Sequence, residues 1–402
     1  MKNNFISERI QNIKPSPTME VTSKARELKE AGHDIIGLGA GEPDFDTPTH
    51  IKEAAIQAIK QGKTKYTAVD GIPELKEAII DKFARENKLL YNKNEVSVAT
   101  GGKQVLYNAF QATLNKGDQV IIPAPYWVSY PDMVILAQGT PVFIETKKEN
   151  NFKMTVDMLK KVINEKTKWI VLNSPSNPTG TCYTKEELTE IGNLLEKYEN
   201  ILILTDDIYE KIIYENFTFS TIAEAVPNLK ARTLTVNGVS KAFSMTGWRI
   251  GYAGGPESLI KSMAKIQSQS TSNPTSISQY AALKALTSSC SFLEENNSIF
   301  LKRRNLILEL VNSSKGLASN IPSGAFYIFP SCEGLIGLKT AKGNTINNSS
   351  DFSKYLLEEA GVAVVPGLAF GLENFFRISY ATSDEILEEA GVRIYNACKQ
   401  LT

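Results

Sequence analysis

Residues 233–251, TLTVNGVSKAFSMTGWRIG, decide the fold. The first five are mostly β-branched or apolar and are followed by a glycine, which predicts a buried strand ending near residue 237. Lys241 therefore falls just beyond the carboxyl end of a strand. In open α/β sheets, ligands bind beyond the carboxyl ends of the strands. Lys241 is thus a candidate for chemistry, although a lysine after a strand, taken alone, is more often a solvated surface residue.

Outside this stretch, short apolar runs alternate with segments of helical period such as Lys185–Tyr198 and Ser258–Ser268. Alternation of this kind predicts a mainly parallel sheet flanked by helices. The predicted strands are Val96–Thr100, Gln119–Pro123, Trp169–Asn173, Ile201–Thr205, Thr233–Asn237 and Arg249–Gly254.

After about Leu317, the regular alternation of buried strands and helices gives way to a different order of elements, which predicts a second, smaller α+β domain. We expect an N-terminal arm with part of the small domain at 1–47, a large domain at 48–316 and the small domain at 317–402. The predicted elements of the last part are strands Gly324–Phe329, Val362–Val365 and Phe375–Ser379, and helices Asp351–Ala360 and Asp384–Lys399.

Composition excludes several classes of protein. The 402 residues contain 44 Lys plus Arg and 44 Asp plus Glu, which argues against general attraction to nucleic acid or an anionic membrane. No stretch approaches the roughly 20 apolar residues that cross a bilayer, and the amino terminus lacks the apolar core of a signal peptide. Four scattered cysteines favour reduced thiols in the cytoplasm. With only two histidines, His33 and His50, we expect no His-based metal site.

Several predicted strands are followed by residues that suit an anionic cofactor or substrate. Gly101 and Gly102 lie between a strand and a helical pattern, where free backbone N–H groups suit a phosphate. Asp206 ends an apolar strand, and Tyr209 follows three residues later. Arg377 lies inside an apolar strand, where its charge is costly unless paired. A guanidinium offers two parallel hydrogen bonds to a carboxylate.

In this order and spacing, the motifs resemble the class I and II (fold-type I) aminotransferases, which use pyridoxal phosphate (PLP), from about Gly39 to Arg377. The resemblance implies that Lys241 forms a Schiff base with PLP and that an arginine eight residues later, Arg249, grips its phosphate. Asp206 would keep the pyridine nitrogen protonated, as an electron sink requires, and Tyr209 would contact the 3-oxygen. Asp207 does not fit the spacing, and we assign it no direct role.

The resemblance implies further contacts with the cofactor and the substrate. Gly101 and Gly102 would approach the phosphate, and Trp127 would stack on the cofactor ring beside the substrate. Asn177, in the stretch NPTG, would bind a cofactor oxygen and the substrate carboxylate. Ser240 is a candidate phosphate ligand, because Gly238 occupies the position where other aminotransferases carry a phosphate-binding serine.

Substrate recognition and assembly also follow from the resemblance, which is closest to the bacterial (Ib) aspartate aminotransferases. Arg377 and the Gly41 backbone would bind the α-carboxylate. Lys103, beside the cofactor, would recognise a distal carboxylate with help from Thr18; the alternative is a helix-start surface lysine. Tyr66 would cross the interface of a homodimer to the partner's phosphate, so that the two chains share their active sites.

The function implied is aspartate aminotransferase: L-aspartate and 2-oxoglutarate give oxaloacetate and L-glutamate in a ping-pong reaction. Some members of the subgroup also transaminate prephenate, and the sequence does not separate the two cases. The alternatives are an aromatic or broad-specificity aminotransferase and another PLP reaction such as a lyase. A non-catalytic PLP-binding regulator is disfavoured, because it would need an added DNA-binding segment and the neutral net charge argues against one.

Overall fold

The computed structural model describes residues 5–215 and 217–402. Its strands are β1 (Ile36–Gly37), β2 (Val96–Ala99), β3 (Gln119–Ala124), β4 (Thr140–Glu145), β5 (Thr167–Asn173), β6 (Leu202–Asp206), β7 (Thr233–Gly238), β8 (Gly251–Gly254), β9 (Tyr327–Ile328), β10 (Val362–Ala363), β11 (Val365–Pro366) and β12 (Phe376–Ser379). Its α-helices are α1 (Glu8–Gln11), α2 (Pro17–Glu30), α3 (Thr49–Lys60), α4 (Pro73–Asn87), α5 (Gly102–Thr113), α6 (Ser129–Leu136), α7 (Val156–Lys160), α8 (Lys185–Leu195), α9 (Ile222–Ala225), α10 (Glu257–Ser268), α11 (Ser276–Thr287), α12 (Phe292–Asn312), α13 (Ser349–Ala360) and α14 (Asp384–Gln400).

The central sheet has seven strands in the order β2-β8-β7-β6-β5-β3-β4. Strands β3 to β7 run parallel to their neighbours in that order, whereas β8 is antiparallel to both β7 and β2. The inner strands β5, β6 and β7 are almost entirely buried, as expected for a sheet covered by helices on both faces. The predicted mainly parallel sheet is confirmed, and β4, an edge strand that contains Pro141, is an addition to it.

Three sequence predictions about strands are wrong in detail. The predicted strand Val362–Val365 is divided between β10 and β11, which belong to different sheets. The predicted strand Arg249–Gly254 begins only at Gly251, because Arg249 has a left-handed backbone, with φ 56°, at the end of a short 3₁₀ helix. The predicted strand Gly324–Phe329 is regular only over Tyr327–Ile328. Ala325 has a left-handed backbone, with φ 55°, and its N–H donates to the Ile212 oxygen, so the regular strand begins only after it.

Two smaller sheets lie outside the central one. Strands β11, β12 and β9 form an antiparallel sheet, and β1 pairs in parallel with β10 through Ile36 and Val362. The pairing of β1 with β10 brings the segment before Pro48 against the C-terminal part of the chain. The domain boundaries at 47/48 and 316/317 stay a prediction.

Several helix ends follow from local sequence. The side chain of Thr184 accepts a hydrogen bond from the Glu187 N–H, and the Glu187 carboxylate accepts one from the Thr184 N–H; the two bonds start α8. Asn348 caps α13, which ends at Gly361 with φ 65°. Within residues 5–215 and 217–402, no helix is long and apolar enough to cross a membrane.

Candidate active site

A cavity of about 240 Å³ lies at the carboxyl ends of β5, β6 and β7, and the side chain of Arg377 from β12 closes one side of it. Position beyond these strand ends is what the fold predicts for a ligand site. The structure brings together in its walls most of the sequence-predicted residues: Thr18, Gly41, Gly102, Lys103, Trp127, Asn177, Asp206, Tyr209, Ser240, Lys241, Arg249 and Arg377.

Lys241 follows β7 and reaches the middle of the cavity. Its Nζ donates a hydrogen bond to the backbone oxygen of Gly41 and lies 5.9 Å from the centre of the Tyr209 ring. Burial lowers the pKa of Lys241 to about 8, and the positive charges of Arg377 and Arg249 act in the same direction. A measurable fraction of this amine is therefore neutral near pH 7, as a nucleophile or general base requires.

Asp206 ends β6 with its carboxylate fully inside the cavity wall. The hydroxyl of Tyr130 donates to Asp206 Oδ2 at 2.7 Å, and Asn173 Nδ2 donates to the Asp206 backbone oxygen at 2.7 Å. Burial raises the pKa of Asp206 to about 6, while the Tyr130 hydrogen bond opposes that rise. Asp206 is thus ionised near pH 7 and able to pair with a buried cation.

Tyr209 contacts a residue to which the sequence analysis gave no role. The hydroxyls of Tyr209 and Tyr327 lie 2.8 Å apart, and the two rings meet edge to face. Burial raises the pKa of Tyr209, so it is a neutral phenol that donates or accepts hydrogen bonds at physiological pH. Tyr327 also comes close to Gly41, where a Cβ atom would stand 3.0 Å from its hydroxyl.

The glycine turn at the start of α5 borders the cavity through Gly102. Gly101 has φ 83°, and a Cβ atom there would lie 2.3 Å from Arg249 Nη2, so only glycine lets the guanidinium lie against this turn. Gly102 is the first residue of α5, whose N-terminal N–H groups and dipole favour an anion. Ser240 also lines the cavity. Together these groups form an anion site of the type that a phosphate occupies.

Arg377 is almost completely buried, with 1% of its surface exposed. Its Nη1 donates to Asn177 Oδ1 at 2.8 Å and its Nη2 to the Gly39 oxygen at 2.6 Å. The guanidinium lies 4.5 Å from the Tyr327 ring centre, whereas its buried Nε has no hydrogen-bond partner among the described residues. A buried donor without a partner is costly, which favours an anionic ligand at this place.

The outer side of the cavity is formed by Lys103, Trp127 and Thr18. Lys103 is exposed, and its Nζ lies 5.0 Å from the centre of the Trp127 ring. Partial desolvation and the positive charge of Arg249 lower the pKa of Lys103, whereas Asp132 raises it. Thr18 lies in the first turn of α2, which brings the N-terminal segment to the cavity.

Two of the sequence-predicted residues lie outside the cavity lining. Gly101 precedes Gly102, which does line the cavity, and it packs against Arg249. Tyr66 does not reach the cavity of its own chain, and 91% of its surface is exposed. Asp207, to which no role is assigned, does not line the cavity, and its Oδ1 accepts a hydrogen bond from the Thr205 hydroxyl at 2.6 Å.

The arrangement fits PLP on its own geometry. It combines a buried carboxylate, Asp206, a lysine with a lowered pKa, and an anion site made of a helix start and Arg249. Among the described residues, no group of three or more His, Cys, Asp or Glu side chains is arranged to hold a metal ion.

Comparison with known proteins agrees with the fold. The family described as "Aminotransferase class I and II" matches residues 33–394, and the chain belongs to this family of PLP-dependent transaminases.

Among individual proteins, the chain is 56% identical to the aspartate/prephenate aminotransferase of Cereibacter sphaeroides, over 99% of this chain and all of that protein. The aspartate aminotransferase structure from Rhizobium meliloti matches with a TM-score of 0.96 and 51% identity, covering 99% of both chains. The aspartate aminotransferase of Thermus thermophilus with maleate matches with a TM-score of 0.91 and 45% identity, over 98% of this chain and 99% of that one. The expected fold type, enzyme class and cofactor are confirmed.

Proposed function

We propose that the protein is an aspartate aminotransferase that converts L-aspartate and 2-oxoglutarate into oxaloacetate and L-glutamate. The observation that carries this proposal is the pair of cationic side chains, Arg377 and Lys103, in the walls of the cavity that holds Lys241. A dicarboxylic amino acid needs one cation for each carboxylate. The names of the full-length relatives and the maleate, a dicarboxylate, of the Thermus structure support the same choice.

The buried Arg377 binds the α-carboxylate in this proposal. Its unpartnered Nε and its two Nη atoms offer a planar set of donors, and Asn177 Oδ1 fixes the orientation of the guanidinium. Water is excluded from this end because Arg377 is buried against aromatic rings. The substrate is thereby oriented with its α-carbon toward the centre of the cavity.

Lys241 moves the proton. Its lowered pKa leaves part of the amine neutral, and the neutral Nζ takes the proton from the substrate α-carbon as general base. PLP, when bound, supplies the electron sink that stabilises the resulting carbanion. Asp206, ionised near pH 7, would keep the pyridine nitrogen of bound PLP protonated, and Tyr209 would donate to its 3-oxygen. Arg249, Gly101, Gly102 and Ser240 hold the phosphate.

We also propose that the enzyme is a cytoplasmic homodimer with shared active sites and that prephenate is a second amino acceptor, giving arogenate. Exposure of the Tyr66 ring supports a role across an interface. Four free cysteines are in keeping with a reducing compartment. The name of the Cereibacter relative supports prephenate, whose ring carboxylate suits the same Lys103.

A single-turnover experiment tests the proposed donor. The PLP-loaded protein is mixed with L-aspartate, L-alanine or L-phenylalanine without an acceptor, and the absorbance of the lysine-bound cofactor is followed. We expect L-aspartate to react fastest and to release oxaloacetate. The aminated enzyme is then mixed with 2-oxoglutarate or prephenate. Faster reaction with L-alanine or L-phenylalanine would remove the aspartate assignment and leave the transaminase class intact.

A further inference from the structure

Tyr66 lies in the connection between α3 and α4, residues 61–72, which contains no helix or strand. Its ring is exposed and makes no contact with the cavity of its own chain. A connection of this kind is normally mobile, because few hydrogen bonds fix its backbone. Here, however, buried polar side chains bind the connection on its inner side.

Gln279, on α11, is completely buried and uses both ends of its amide on or beside this connection. Its Oε1 accepts from the Ile72 N–H at 2.8 Å. Its Nε2 donates to the Thr67 hydroxyl at 3.0 Å and to the Pro274 oxygen at 2.9 Å. Gln279 therefore fixes the residue directly after Tyr66 and the end of the connection together.

Gln267, on α10, supplies a second buried attachment. Its Nε2 donates to the backbone oxygens of Val69 and Val98, at 2.6 and 3.0 Å, while its Oε1 accepts from Asn108 at 3.0 Å. A third bond runs from the Ser276 hydroxyl to the Lys63 oxygen at 2.8 Å. The connection is thus held on both sides of Tyr66, through the backbone at residues 63, 69 and 72 and through the side chain of Thr67.

Buried amides of this kind are costly unless every polar atom has a partner, and an apolar side chain would fill the same space without that requirement. Filling the core therefore does not by itself explain why both glutamine amides bind residues 61–72. Fixing the backbone reduces the entropy that Tyr66 loses when it binds a distant group. The side chain that gains most is the exposed phenol.

We propose that Gln279 and Gln267 are positioning residues that hold residues 63–72 so that Tyr66 reaches the cofactor phosphate in the partner subunit. This inference rests on the proposed dimer with shared sites. The glutamines touch neither cofactor nor substrate and act only through Tyr66. Their effect must therefore appear in the site of the other subunit.

The first test measures the PLP dissociation constant of the intact holoenzyme. Tyr66→Phe removes a hydrogen bond to a charged group, and we expect binding to weaken about tenfold. Gln279→Met should weaken it about fivefold, and the milder Thr67→Val, which keeps the side-chain shape, about twofold. Tyr91→Phe is the control, because it removes a buried hydrogen bond to Thr235 that does not touch the connection. It should lower the melting temperature and leave PLP affinity unchanged.

A hybrid dimer locates the effect. One subunit carries Lys241→Ala, so that lysine-bound PLP is measured only in the other subunit. Gln279→Met is then placed on either subunit. We expect weaker PLP binding only when Gln279→Met is on the Lys241→Ala subunit, whose Tyr66 serves the measured site. Weakening from the measured subunit itself would show an ordinary structural effect and overturn the proposal.

Combining Gln279→Met with Tyr66→Phe separates the positioning role of Gln279 from the existence of a shared site. If the glutamine acts through Tyr66, the double variant binds PLP no more weakly than Tyr66→Phe alone. Additive effects would overturn the positioning role. A Tyr66→Phe effect without a Gln279→Met effect would also overturn it while leaving the shared site intact. Normal PLP binding by Tyr66→Phe would remove the shared site and the positioning role together.

Discussion

The inner wall of the cavity, formed by Lys241, Asp206 and Arg377, differs from its outer wall, formed by Lys103 and Thr18. The polar end of each inner-wall side chain is hydrogen-bonded to the protein. On the outer wall, Lys103 is exposed, and its Nζ makes no hydrogen bond to any residue the structure describes; it lies only over the Trp127 ring.

The difference separates chemistry from substrate choice. Groups that must stabilise charge in the reaction are already oriented, which avoids reorganisation when the charge develops. A long, exposed lysine adapts its position, and it can accept substrates with carboxylates at different distances. The inner wall thus accounts for the reaction shared by the class, and the outer wall accounts for specificity. The following predictions test that division.

The largest expected effect is that of Lys241→Ala. This change removes both the attachment of PLP and the general base, and we expect the rate of the half-reaction with L-aspartate to fall by about 10⁴-fold or more. Stopped-flow absorbance of the cofactor measures it. A far-ultraviolet circular dichroism spectrum matching the wild type controls for folding. Turnover at the normal rate would contradict the role of the inner wall.

Arg377→Lys should have the next largest effect. A lysine cannot offer two parallel hydrogen bonds, and Asn177 and Gly39 would each lose their buried partner. We expect kcat/KM to fall by about 10²-fold for L-aspartate and equally for L-alanine, since both have an α-carboxylate. A loss confined to L-aspartate would mean that Arg377 binds the distal carboxylate. The inner wall would then determine substrate choice, contrary to the division proposed here.

Lys103→Met should affect one substrate only. We expect kcat/KM for L-aspartate to fall about tenfold, because one partly exposed ion pair is lost, and kcat/KM for L-alanine to stay unchanged. Lys103→Arg keeps the charge and is the matched control, which should retain most of the L-aspartate activity. An equal fall in kcat/KM for both amino acids would mean that Lys103 acts on the cofactor and does not bind the distal carboxylate of the substrate.

The sequence predicted those residues whose position follows from a nearby strand end. Lys241 and Asp206 come directly after β7 and at the end of β6, so the topology of the sheet places them in one cavity. Arg249 lines the cavity, but it lies outside the strand that the sequence predicted for it. Its left-handed backbone depends on packing against Gly101, which local propensity does not contain.

Contacts between distant segments were not predictable in this way. Tyr130 reaches Asp206 across 76 residues of chain, and Tyr327 reaches Tyr209 across 118. Tyr327 lies in a predicted strand, but neither its position nor that of Tyr130 in the sequence indicates a hydrogen bond to the site. A buried tyrosine needs a partner for its hydroxyl, and that need was the available signal.

Tyr130→Phe tests the one hydrogen bond from a side chain to the Asp206 carboxylate. That bond favours the ionised form, so its removal should raise the pKa of Asp206 from about 6 to about one unit higher. The folded pKa already exceeds the unfolded value of about 3.9, so the protonated carboxyl stabilises the cofactor-free protein at low pH. This stabilising contribution of Asp206 is lost as pH rises toward its folded pKa of about 6. In Tyr130→Phe, the loss is complete only near pH 7.

Carbon NMR titration of the Asp206 carboxyl in the cofactor-free protein measures this pKa directly. Tyr183→Phe is the matched control: Tyr183 is also buried, and its hydroxyl accepts a hydrogen bond from the Met154 N–H rather than donating to Asp206. An Asp206 pKa that Tyr130→Phe leaves unchanged, or that Tyr183→Phe shifts just as much, would mean that the Tyr130 hydrogen bond does not set the ionisation of Asp206. The orientation of Asp206 by Tyr130 would then carry no electrostatic weight, and the contrast with the outer wall would rest on Lys241 and Arg377.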